Sequence, residues 1–176
     1  MAVVRKFSSQ PKAQPDTIRA ERELNERLSA AGLAQVPMNI EAVAEFLGLE
    51  VVEEIMDNDL SGYLEERNGS WIVGVNALHH KNRRRFSIAH EIAHYVLHVG
   101  QQQQFRDTTF ARRTSESNPM ERDADNFAAN LLMPENRVRE LISSGVTTLS
   151  GLAENFGVSA LAMKYRVKEL GYQVNQ

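Results

Sequence analysis

His90-Glu91-Ile92-Ala93-His94 constrains this chain more than any other segment. Two imidazoles four positions apart stand one turn apart on the same face of an α-helix, about 6 Å along its axis, whereas a strand would carry them about 13 Å apart. The residues around them carry that period. Phe86, Ala89, Ala93 and Val96 form an inner face over 86–98, widened by Ile88, Ile92 and Leu97. Both sides are largely apolar, so the helix belongs near the centre of a domain. Imidazoles embedded there must be satisfied. One turn of helix lets each offer a ring nitrogen to a single zinc ion at about 2.0–2.1 Å. Glu91, beside the first histidine, can reach a water on that ion as a general base. For a chain of 176 residues with five histidines, chance yields this pattern about 0.013 times, so accident is a weak rival.

Composition narrows the remaining choices. A chain of 176 residues with 42% hydrophobic residues forms one ordinary domain, and buries roughly 70% of its unfolded surface without a disulfide. The absence of cysteine excludes thiolate zinc knuckles, iron–sulfur clusters and cysteine hydrolases. A net charge of -3 gives no general attraction for nucleic acid. Neither the opening MAVVRKFSSQPKAQ nor any later run is apolar enough for a signal peptide or a membrane span, which points to a cytoplasmic protein without membrane partners.

The chain divides into a flexible leader (1–15), a zinc-binding catalytic domain (16–145) and a helix-turn-helix-like extension (146–176) packed on the same unit. Asp16 is placed to cap a helix over 17–30 with Ile18, Leu24 and Leu28 inside, and Asn39 caps a shorter one ending at Gly48. Strands are expected at 50–55, 62–66 and 70–75, with Asn68-Gly69 a strong hairpin signal. Residues 101–119 are polar and aperiodic but carry Phe105 and Phe110, which suits a lid over the site. Helices follow at 120–132, 135–142, 149–155 and 159–170. The fold class is therefore α+β: helix-rich, with a small, mostly antiparallel sheet beside the histidine helix.

A catalytic zinc site needs a third ligand and an open position. His98 shares the helical face but lies about 12 Å along the axis from His90. His79 and His80 sit beside Lys81, Arg83, Arg84 and Arg85, a poor setting for a cation; that basic run itself reads as a solvated face. Glu121 is the better choice, opening a helix in which Asp125 lies one turn further on. Asp125 can then hold a ligand imidazole by its other N–H, and small Ala124 lets the two helices approach. In the last helix, Leu161, Tyr165, Val167 and Leu170 are expected inside, with Lys164, Arg166 and Lys168 outside.

Arg85–His94 followed by Glu121–Pro134, with FAANLLMP after the upstream glutamate, resembles the ImmA/IrrE family of bacterial and phage metallopeptidases. The resemblance covers most of the chain, leaving out the leader and the loop 101–119. It implies a gluzincin-like site with His90, His94 and Glu121 on zinc and Glu91 as base. It also implies substrates that are Xre-like helix-turn-helix repressors encoded nearby, cut in stress responses or mobile-element excision; some relatives serve in toxin–antitoxin pairs. Asp123-Ala124-Asp125 departs from the Glu-Ala-Asn of many relatives without disturbing the ligands.

The expected activity is thus a zinc-dependent endopeptidase, although imidazole and carboxylate ligands also accept manganese, cobalt or iron. Tyr63, Arg85, Tyr95 and His98 are the candidates for oxyanion or substrate contacts. A peptide would add as a strand beside 62–66 or 70–75. Two readings compete: a non-proteolytic, antitoxin-type regulatory partner that keeps the metal site, and a DNA-binding regulator acting through the C-terminal helices. The intact Glu91 weighs against the first, and the net charge against the second.

Overall fold

In the computed structural model, residues 3–6, 15–100, 104–108 and 119–174 are described. The elements run β1 (Val3–Lys6), α1 (Pro15–Ala30), α2 (Ile40–Phe46), β2 (Leu49–Glu54), β3 (Leu60–Arg67), β4 (Ser70–Asn76) and α3 (Lys81–His98). Then come β5 (Gln104–Thr108), α4 (Pro119–Leu132), α5 (Glu135–Ser143), α6 (Leu149–Phe156), α7 (Ala160–Glu169) and β6 (Tyr172–Val174). The architecture is α+β and helix-rich.

The first helix starts at Pro15, where a missing N–H costs nothing. Asp16 sits in its first turn instead of capping it. Leu24 and Leu28 are buried as expected, but Ile18 is exposed and Thr17 takes the inward position. Asn39 does cap α2, its Oδ1 accepting from the Ala42 N–H at 3.1 Å.

A four-stranded sheet has the order β2-β4-β3-β5. The β3–β4 hairpin turns at Asn68 (φ 52) and Gly69 (φ 81), the pair of positive φ values that a two-residue turn of the right twist requires. Parallel pairing of β2 with β4 then leaves β4 internal, while β3 and β5 run antiparallel. Two expectations change here. Neither β3 nor β4 offers a free edge for a peptide, because each is paired on both sides. The stretch 101–119 is not aperiodic throughout, since Gln104–Thr108 completes the sheet against β3. Phe110 lies outside the described residues. The leader also contributes structure: Val3–Lys6 pairs antiparallel with β6.

One sheet face covers α3. Gly62 and Leu64 of β3 lie opposite Val75 and Val73 of β4, and Leu64, Val73 and Val75 are fully buried. Asn76, also fully buried, ties the β2–β3 connection to the end of β4. Its Nδ2 donates to the Met56, Asp57 and Leu60 carbonyls at 3.3, 3.2 and 2.9 Å, pinning an exposed loop to the core from its inner side. Behind α3 lies α4, with Ala124 fully buried in the inner face.

The C-terminal helices pack on the same core. Gly157 (φ 63) ends α6 in the left-handed conformation, and Ser159 caps α7. Arg85 Nε donates to the Gly157 carbonyl at 3.0 Å and Asn82 Nδ2 to the Val158 carbonyl at 3.0 Å. The inward face of α7 is Met163, Arg166 and Val167, with Leu170 just beyond, whereas Leu161 and Tyr165 are half exposed. That reverses the expected placement of Arg166. Its Nε donates to the Met133 carbonyl, left open just past the end of α4, and its Nη1 meets Glu169 at 2.9 Å.

Candidate metal centre

The sequence Ser87-Ile88-Ala89-His90-Glu91-Ile92-Ala93-His94 is buried without interruption. Sheet on one side and helices on the other leave α3 no solvated face over these two turns. Glycine at 62 makes the approach of β3 feasible. A Cβ there would lie 2.7 Å from the Gly74 carbonyl oxygen, 3.4 Å from Glu91 Oε1 and 3.7 Å from the Ser87 Cβ. Glu91, fully buried, is thus enclosed between its own helix and β3.

Three atoms that could bind one metal ion converge at this helix. His90 Nε2 and His94 Nε2 are 3.0 Å apart, and Glu121 reaches them at 3.3 Å through Oε2 and 3.2 Å through Oε1. These three residues are the metal-capable cluster among the described residues. A tetrahedral zinc ion with ligands at about 2.0–2.1 Å separates its donor atoms by about 3.3–3.4 Å, so the spacing fits one ion. The chemistry of the donors agrees. His90 Nδ1 lies 3.0 Å from Asp125 Oδ1, and His94 Nδ1 lies 3.0 Å from His98 Nδ1. If each Nδ1 carries its ring's proton, both Nε2 atoms present lone pairs to each other and to a carboxylate. A cation reconciles that arrangement.

A family model described as Peptidase_M78, IrrE N-terminal-like domain, matches residues 44–168. The chain belongs to this family. The matched span runs from within α2 to within α7, so it takes in the four-stranded sheet and the helices α3 and α4 that carry His90, His94 and Glu121. Among curated proteins nothing matches the chain.

The Peptidase_M78 framework sets the electrostatics of the centre. Burial alone would raise the Glu121 carboxyl, but hydrogen bonds and charge from His90 and His94 outweigh it and hold the group far below the usual carboxylate range. Glu121 is accordingly ionised at neutral pH. Burial, followed by the neighbouring His94, pushes His98 below the ordinary histidine value.

Of the remaining sequence candidates, Tyr63, Tyr95 and Arg85 are engaged elsewhere. Tyr63 faces the opposite side of the sheet from Gly62, with its ring over Gly74 and its hydroxyl donating to Glu54 at 2.8 Å. Tyr95 packs edge-on against Trp71 at 5.9 Å. Arg85 holds the Gly157 and Met38 carbonyls, the latter at 2.7 Å, which makes it a strut between helices. His98 does touch the centre, but from behind His94. His80 caps α3, its Nδ1 accepting from the Asn82 N–H.

Sequence reasoning missed one contact. Phe105 of β5 stacks on the His94 ring at 4.6 Å and 19°, and is itself buried. The isolated phenylalanine in a polar stretch was the available signal, and it supports an anchored strand at this position.

Proposed function

We propose that the protein is a zinc-dependent endopeptidase that cuts another protein, with a helix-turn-helix transcriptional repressor as the substrate class. Family membership supports peptidase chemistry in general. The observation that carries the finer reading is the convergence of His90, His94 and Glu121 next to a fully buried Glu91 on the same helix. Three protein ligands leave a fourth position for water or substrate, as catalytic zinc sites do.

When bound, the ion would supply Lewis acidity, acidifying a water and polarising a peptide carbonyl. His90 and His94 provide neutral nitrogen donors, and Glu121 a charged oxygen donor. Glu91, adjacent to His90 and enclosed by β3, takes the proton of the attacking water and passes it to the leaving amine. Its enclosure limits proton exchange with bulk water. The outer edge of β5, the strand carrying Phe105, is the sheet edge nearest the centre and suits an added peptide strand. A docking role for α6 and α7 is favoured over DNA reading, because Arg166 is committed to the interior and the chain is net acidic.

Glu91→Gln tests this. Metal content and fold should persist while cleavage of a co-encoded helix-turn-helix regulator falls by about 10²–10⁴-fold or more. Undiminished cleavage by the metal-loaded variant would reject the assignment of the base.

A further inference from the structure

His98 follows His94 by one helical turn, and the two Nδ1 atoms are 3.0 Å apart in a buried setting. A neutral imidazole has a single N–H. Were that proton on His94 Nε2, it would point at His90 Nε2 and Glu121, and the ring would not be a ligand.

We infer that His98 is a positioning residue: its Nδ1 accepts the Nδ1–H of His94 and fixes the tautomer and ring angle in which His94 Nε2 is a metal donor. The inference rests on reading the centre as a metal site. Two independent contacts define the ring. His98 holds its edge, and Phe105 covers its face at 4.6 Å. The arrangement parallels Asp125 behind His90, except that a neutral imidazole replaces a carboxylate. That substitution limits negative charge. A further carboxylate behind His94 would add negative charge to a centre that already gathers the carboxyl groups of Glu91, Glu121 and Asp125.

The test measures zinc affinity of the full chain by competition with a chelator, for wild type, His98→Asn, His98→Gln and His98→Leu. Asparagine places its Oδ1 near the position of the histidine Nδ1, glutamine carries its acceptor one carbon further, and leucine has none. Expected affinities are within about 3-fold of wild type for His98→Asn and about 10–100-fold weaker for His98→Gln and His98→Leu. In the zinc-loaded protein, a slowly exchanging His94 Nδ1–H resonance should survive in His98→Asn and vanish in His98→Leu. If His98→Leu does not fold, the contrast between His98→Asn and His98→Gln carries the same comparison.

Affinity that is unchanged in His98→Leu and His98→Gln, or equally weakened in His98→Asn, overturns the positioning role and leaves the peptidase reading intact. A wild-type chain that takes up no zinc overturns both. Zinc binding with the expected variant pattern but undiminished cleavage by Glu91→Gln overturns the catalytic assignment alone.

Discussion

Gly62→Ala should damage stability and activity together, because one hydrogen atom at this position separates β3 from its surroundings. The added Cβ would stand 2.7 Å from the Gly74 carbonyl oxygen, well inside an ordinary carbon–oxygen contact. That oxygen belongs to the backbone of internal β4, paired on both sides, so it cannot rotate away. Relief must come from moving β3, and overpacking of this kind costs about 1–3 kcal/mol. For a chain of 176 residues that lowers Tm by about 3–9 °C. The same methyl group lies 3.4 Å from Glu91 Oε1, so any shift of β3 alters the wall against the proposed base. Denaturant unfolding of the variant, beside Gly100→Ala, would measure the first effect. No described residue comes within 4 Å of a Cβ added at Gly100, so that control should stay within about 0.5 kcal/mol of wild type. Turnover per folded molecule would measure the second. A Gly62→Ala protein as stable and as active as the control would refute the close-approach argument.

Glu121→Ala removes one of the three proposed ligands and should reduce zinc affinity by more than about 100-fold, beyond the effect of losing an orienting partner; elemental analysis after dialysis would reveal it. Stripping the metal with a chelator should lower stability by about 2.7 kcal/mol relative to protein held at a hundredfold excess over Kd, a difference that Glu91→Gln should retain in thermal melts. Arg166→Met should cost about 1–3 kcal/mol in urea unfolding, since it orphans the Met133 carbonyl inside the protein; an unchanged midpoint would mean that water or the backbone satisfies it instead.

His90, Glu91 and His94 were legible in the sequence because their relation is local. A helix places residues four apart on one side whatever surrounds it, and the apolar flanks dictated the helix. The Asn68-Gly69 turn was local in the same sense, since its backbone angles suit those residue types. Glu121 and Asp125 could be nominated from helix spacing, but their distances to the imidazoles depend on how α4 lies against α3. Small Ala124 and Ala128 on the buried face permit that approach without specifying it. Other features arise only from tertiary structure. Gln104–Thr108 has no strand period of its own; it is a strand because β3 offers backbone groups to pair. That pairing carries Phe105 onto His94, far from it in any local sense. Arg166 turns inward because a helix-end carbonyl there needs a donor, a demand that comes from another helix and outweighs the preference of a charged side chain for water. Local periodicity therefore set which residues could share a face, and the distant polar groups left over by each element decided which faces met.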